Sequence, residues 1–139
     1  MPAIAELSQQ TLSLDAHVAA VSDPTHGAVA TFIGLVRDHD PSVTGVVTHL
    51  DYSAHPDAAA VLARIVSEVE SQHGARLALS HRTGLLAVGD VAIVAAAASA
   101  HRAQAFAACR EVVERVKAEL PVWKREILAD GTHTWVGLT

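Results

Sequence analysis

Residues Val91 to Ala98 read VAIVAAAA, an unbroken apolar run. A strand with one wet face alternates polar and apolar side chains. A strand with no alternation is covered on both faces, so this chain must layer other elements on either side of a sheet. The run is far short of the ~20 residues that a membrane-spanning helix needs. Gly89-Asp90 places a turn before it. Ser99 after it is the expected N-cap of a long helix, His101 to Leu120, which Pro121 ends.

The other elements follow from period and punctuation. Ile4 to Leu12 reads as a first strand and Leu14 to Val21 as a short helix stopped before Pro24. Gly27 to Val36 is rich in β-formers, and Val43 to Tyr52 alternates well enough for the second arm of a hairpin. Pro56 opens a helix in which Leu62, Ile65 and Val69 recur at helical spacing, with Gly74 as its stop. Arg76 to Arg82 is a strand, and Gly84 to Asp90 carries a turn. Val122 to Leu128 is a strand, Asp130-Gly131 a turn, and Thr132 to Val136 a last strand. The expected order is β-α-β-β-α-β-β-α-β-β, an α+β fold with a mostly antiparallel sheet. A length of 139 residues suits one domain, 1–139.

Composition narrows the function. A formal net charge of −5 excludes a general polyanion binder, so nucleic acid is not expected, and any anion site must be a local basic cluster. Charged residues make up 18%, against about 25% in average soluble proteins, which leaves surface to be covered in an oligomer. One cysteine, Cys109, allows neither an intrachain disulfide nor a cysteine metal framework, and its place on an apolar stripe reads as core. Nine histidines are scattered, and none forms an i,i+4 pair on one helix face, so no metal is expected. Met1 to Gln10 lacks the pattern of a secretory signal, and a cytoplasmic protein is the expectation.

The chemistry-bearing residues cluster late in the chain. On a helical wheel Ala105, Phe106, Cys109, Val112, Val113, Val116 and Leu120 make one apolar stripe. Arg110–Glu114 and Glu111–Arg115 fall at i,i+4 on the solvated side. Lys117 sits at the border of the stripe. It is either a snorkelling side chain or an amine partly withdrawn from water. His101 and Arg102 open the helix, where the dipole disfavours cations; they either point outward or serve an anion. Lys124, in Pro121-Val122-Trp123-Lys124-Arg125-Glu126, can border the same pocket as Lys117 if the chain turns back at Pro121. By itself that segment reads as a strand with alternating exposed charges. Arg37, at a strand end, is a candidate anion fork.

Taken together, Gly34-Leu35-Val36-Arg37-Asp38-His39, Ser99-Ala100-His101-Arg102, Lys117 and the segment 121–126 resemble the molybdopterin synthase catalytic (large) subunit family. His81-Arg82-Thr83-Gly84 and Val88-Gly89-Asp90 resemble a further segment of it, and the similarity runs in order from about Gly27 to Val136. The resemblance implies an α/β-hammerhead-like fold with an added small antiparallel sheet. It implies a sulfurtransferase that converts cyclic pyranopterin monophosphate to molybdopterin. Sulfur would come from the thiocarboxylated C-terminal glycine of a small ubiquitin-like carrier subunit. Two such chains would form a homodimer within a heterotetramer. Lys117 and Lys124 match the family's functional lysines. Arg37, His101 and Arg102 would bind the pterin phosphate, and Arg125 would add to the positive field. No cofactor, metal site or membrane contact is implied.

Three departures stand beside the match. Only Gly137-Leu138-Thr139 follows Trp135-Val136, Val122 replaces an aromatic, and the loop after Arg37 is short and holds Pro41. The short tail keeps one alternative in view, a non-catalytic oligomer that binds an anion and a carrier protein.

Overall fold

The computed structural model describes residues 2–41 and 43–136. Eleven elements run in the order β1 (Ile4–Ser8), α1 (Leu14–Val21), β2 (Ala28–Leu35), β3 (Val47–Ala54), α2 (Ala58–His73), β4 (Arg76–Arg82), β5 (Gly84–Ala87), β6 (Val91–Ser99), α3 (Arg102–Glu119), β7 (Val122–Leu128) and β8 (His133–Val136). They make a mixed α+β fold with two four-stranded sheets, ordered β1-β4-β6-β2 and β5-β3-β7-β8. Only β1 and β4 pair in parallel.

The apolar run is β6, and it is central in the first sheet, between β4 and β2. Every side chain from Ala92 to Ser99 is buried. Ala95 and Ala97 face α2 and α3, in a core that includes Leu62, Ile65, Leu77, Leu79, Val112 and Val116. Ala96 and Ala98 face the other way, against Val21 and Val18 of α1. Helices therefore cover both faces, as absent alternation predicts. A smaller core of Val36, Val47, Leu50, Leu86, Ala92 and Leu128 lines the second sheet.

Helix α1 is fixed by more than apolar contact. Ser13 caps it, its side chain accepting the Ala16 N–H at 3.1 Å. Buried His17 donates from Nδ1 to the Ser13 carbonyl at 2.6 Å and accepts the Ser80 hydroxyl at Nε2, 2.7 Å away. A buried hydroxyl on β4 is thereby satisfied by a helix lying across the sheet. Helix α2 ends at Gly74, whose φ of 61° is the left-handed cap that glycine adopts without strain.

Several expectations are corrected. Val43–Tyr52 is not the second arm of a hairpin with the preceding strand, because β2 pairs with β6 while β3 pairs with β5 and β7. After Leu35 the chain passes from one sheet to the other, held where Val36 bonds the β5–β6 turn (Val36 N–H to the Asp90 carbonyl, 3.0 Å; Gly89 N–H to the Val36 carbonyl, 2.7 Å). The segment 84–90 is more than a turn, since Gly84–Ala87 forms edge strand β5. The first strand stops at Ser8, and α2 starts at Ala58, two residues after Pro56. Ser99 does not cap α3: its hydroxyl bonds Gly74 and Gln104, and His101 is the cap residue, with no side-chain cap bond. Phe106 leaves the stripe and is 65% exposed. Arg115 pairs with Glu68 (2.9 Å) and Glu119 (2.7 Å) rather than Glu111, which takes His73 at 2.9 Å.

The small β6 side chains let α2 and α3 lie close to the sheet. Ala97, fully buried and paired with both Ala30 and Leu77, is the tightest test of that closeness. Ala97→Leu should lower the urea midpoint by an amount equal to about 1–3 kcal/mol, with an unchanged slope. A midpoint equal to the parent's would show that the interior is looser than described.

Candidate functional site

Helix α3 ends at Glu119, and Leu120-Pro121 turns the chain directly into β7. This reversal brings the last turn of α3 beside the first residues of β7. Strand register then sets the neighbours: Lys124 lies opposite Tyr52, and Glu126 opposite Leu50, on β3. A cleft of about 210 Å³ opens here, lined by Tyr52, His81, Val116, Lys117, Trp123 and Lys124. A second hollow of about 380 Å³ shares Tyr52, Lys117 and Lys124 with it and continues to Arg37, His39, Asp40 and Glu126. The two form one continuous groove with Lys117 and Lys124 at its waist.

Electrostatics separate the two lysines. Lys117 is exposed over much of its length, yet its pKa is lowered. Loss of hydration is the largest cause, followed by the like charges of Lys124 and Arg37. Lys124 goes the other way. Burial opposes its charge, but Asp40, hydrogen-bonded at 3.0 Å, outweighs that, helped by Tyr52 and Glu126, and its pKa is raised. The two amines are thus shifted in opposite directions: the charge of Lys117 is weakened by its surroundings and that of Lys124 is reinforced.

Two neutral groups complete the walls. His81, 7% exposed, meets Tyr52 edge-on with ring centroids 5.0 Å apart. Its Nδ1 donates to the Arg82 carbonyl at 2.7 Å. Burial lowers its pKa, that hydrogen bond opposes, and the Lys117 charge lowers it further, so the ring is neutral with Nε2 as an acceptor. Burial raises the Tyr52 pKa; Lys124 lowers it, and Glu126 and Asp40 raise it.

Of the residues singled out from sequence, Arg37, Lys117 and Lys124 line the groove together. Arg125 lies outside it. Strand alternation turns it to the other face of β7, where it pairs with Asp51 at 3.1 Å and sits 5.8 Å from the Trp135 ring. His101 and Arg102 are exposed at the opposite end of α3. Fifteen residues separate Arg102 from Lys117, about 22 Å along a helix. Residues 137–139, where the tail departs from the resemblance, lie outside the described residues.

Tyr52, His81, Asp40 and Glu126 were not picked out from sequence as site residues. Alternation along β7 offered a usable signal for one of them: with Val122 and Leu128 facing inward, Lys124 and Glu126 must face inward too. Glu126 is fully buried, so the segment is not a strand of exposed charges. Among the described residues, no group of three or more His, Cys, Asp or Glu side chains is arranged to hold a metal ion. Among the described residues, no helix is long and apolar enough to cross a membrane.

The lowered Lys117 pKa has a consequence for stability. Between its folded pKa and the unfolded value of ~10.4, the unfolded chain binds more protons, so stability attributable to Lys117 rises with pH there. Below the folded pKa its charge opposes folding. Lys117→Met should therefore raise the melting temperature at neutral pH, by a small margin because solvent screens the site. The margin should shrink towards pH ~10.4. A margin independent of pH would contradict the cause assigned to the shift.

Comparison with known proteins gives a consistent result. The model of the family described as MoaE protein matches residues 7–119. Molybdopterin synthase catalytic subunit 1 of Mycobacterium tuberculosis is 43% identical over 133 residues, covering 94% of this chain and 88% of that protein. The molybdopterin synthase catalytic subunit of Bacillus subtilis is 37% identical over 134 residues, covering 95% and 83%. The crystal structure of molybdopterin synthase from Staphylococcus aureus superposes with a TM-score of 0.88 at 30% identity, covering 99% of this chain and 98% of that one. The fold and the length of these matches agree: the chain belongs to the MoaE family, the catalytic subunits of molybdopterin synthase.

Proposed function

We propose that the groove is the sulfur-transfer site of a molybdopterin synthase, and that the whole chain acts as one catalytic-subunit domain in the cytoplasm. The observation that carries this is the convergence of Lys117, Lys124 and Arg37 on one groove in a chain of net charge −5. A pterin phosphate and a carrier tail ending in a thiocarboxylate are both anions, and three cations at one site suit them. Arg37 binds the phosphate. Lys124, fixed as an ammonium by Asp40, stabilises the oxyanion that forms when water adds to the carrier's terminal acyl carbon, before the acyl–sulfur bond breaks to leave the sulfur on the pterin and a carboxylate on the carrier. Lys117, with its lowered pKa, moves protons as the cyclic phosphate opens. The opposite pKa shifts of the two lysines supply this division of roles.

His101 and Arg102 cannot join Lys117 within one chain. A second copy resolves the separation if its α3 start closes the groove of the first. The surface is compatible with this. β2 is an edge strand of the first sheet and exposes Val29, Ile33 and Leu35, while exposed Phe106 of α3 lies beside Thr31 and Phe32 of the same strand. Such an apolar flank is normally covered. His101 and Arg102 of each chain would then bind substrate phosphate in its partner's groove. Arg125, bound to Asp51 on the far face, acts there only through the long-range field.

The test combines the protein with a thiocarboxylated carrier and cyclic pyranopterin monophosphate, and follows dithiolene formation. Lys117→Ala should lose about 10²–10⁴-fold in rate while remaining folded. Wild-type-like turnover would remove Lys117 from the mechanism, and intact carrier binding without any product in the wild type would favour a binding role alone. Arg102→Ala should be similarly impaired. Mixing and re-equilibrating the two inactive variants should restore about a quarter of wild-type activity, because half the dimers carry one intact composite site. A mixture that stays inactive would mean that each site is built from one chain.

A further inference from the structure

Glu126 is the only buried acidic residue among the described residues, and it is 0% exposed. It sits on the inner face of β7 between Lys124 and Leu128, opposite Leu50, in the smaller apolar core. No donor makes a well-formed hydrogen bond to either of its carboxyl oxygens. Lys124 Nζ is 3.4 Å from Oε1, a loose contact, and gives its closer bond, 3.0 Å, to Asp40. A carboxylate left so poorly solvated is strongly disfavoured. Glu126 and Asp40 converge on the one Lys124 ammonium, at 3.4 and 3.0 Å from Nζ, which crowds two carboxyl groups around a single cation. Two acids so placed, one of them buried, favour the state in which one holds a proton. The buried member has the greater need of it.

We propose that Glu126 and Asp40 form an acid pair that shares a single proton, and that this pair sets the charge of the groove by holding Lys124 with one negative partner rather than two. Glu126 is a positioning residue: it acts on substrate through Asp40 and Lys124. The inference rests on the groove being the anion site proposed above. In the shared-proton state Asp40 neutralises Lys124, and Lys117 and Arg37 remain uncompensated. When Glu126 gives its proton to solvent, a second carboxylate cancels one of those cations and draws Lys124 inward. The groups facing the pair agree with this sign. Burial, then the neighbouring Asp40, raise the Glu126 pKa; Lys124 lowers it, without reversing the direction. Tyr52 and His81 are neutral, and Lys117, Arg37 and His39 border the groove beyond them. Because the Glu126 pKa is raised, the anion-binding state belongs to the acidic side, and affinity falls as pH rises through that pKa.

The test uses the isolated full chain and reads two signals. The first is the carbonyl band of a protonated carboxyl in the infrared, followed through a pH titration. Wild type should keep such a band above the range where exposed carboxyls ionise. Glu126→Gln should lack it, and Asp40→Asn, which removes the carboxylate that binds the proton, should lose it at lower pH. The second signal is affinity for sulfate, an anion that does not titrate in this range. Wild-type affinity should fall about three- to tenfold across the titration, the effect of one charge a few ångströms away. Glu126→Gln, whose amide mimics the protonated acid, should hold its affinity over the same range. Absence of the band in wild type, or a Gln variant with the wild-type pH profile, would overturn the acid pair. Neither signal needs the carrier or the pterin, so this proposal can fail while the sulfur-transfer reading stands.

Discussion

The fold turns on the alanines of β6. A strand covered on both faces has to admit helices from two directions, and four consecutive methyl side chains, Ala95 to Ala98, keep those helices close to the backbone. Close packing makes position sensitive to volume, because dense interiors transmit displacement rather than absorb it. Helix α3 lies on this surface through Ala105, Ala108, Cys109, Val112, Val113 and Val116. Its C-terminal end is therefore fixed relative to β6. Pro121 follows that end at once, so the start of β7 is fixed as well. The spacing of Lys117 and Lys124 follows from a packing constraint that neither lysine takes part in.

The second sheet supplies the other half of the site. β3 is paired on both sides, with β5 and β7, and this holds Tyr52 in line with Lys124. The link between β2 and β3 brings Arg37 and Asp40 from the end of β2 across to the same groove. The site thus lies where the chain passes between its two sheets. Side chains from β3, β4, α3, β7 and one inter-sheet link meet there, so three separate stretches of sequence fix a small volume. Rigid elements hold the lysines, and the acid that restrains Lys124 comes from the link.

What was legible in sequence divides along physical lines. Period and punctuation encode local structure, so α1, the Gly74 stop, β4 and the doubly covered β6 were all readable. Partner choice between strands is not local. Alternation in Val43–Tyr52 is equally compatible with pairing to β2 or to β7, and only assembly of the sheets decides. Ser99 carries the side chain of a cap but is drawn to the Gly74 carbonyl, a tertiary contact that local rules cannot see. Phe106 fits the wheel of α3 yet is exposed beside the edge strand β2 rather than packed in the core. Lys117 was visible as a border residue because its helix is long and regular. Glu126 was hidden by its type: a carboxylate directly after two basic residues reads as surface until its strand is seen to face a core.

Helix α3 carries cations at both ends, and the dipole treats them oppositely. At its C-terminal end the dipole stabilises a cation by about 0.3–1 kcal/mol and by itself would raise the pKa of Lys117. The pKa is lowered instead, so desolvation and the charges of Lys124 and Arg37 outweigh the dipole. At the N-terminal end the same dipole opposes His101 and Arg102, the cap residue makes no side-chain bond, and no acidic residue lies in the first turn. Within the described chain the positive end of the helix therefore has two basic side chains and no neutralising acid beside it. An anion placed there would accept the free first-turn N–H groups and both side chains together. The uncompensated charge at one end and the depressed lysine at the other are each unfavourable in the single chain. On the function proposed above, one phosphate would relieve both if the two ends of α3 met in different copies.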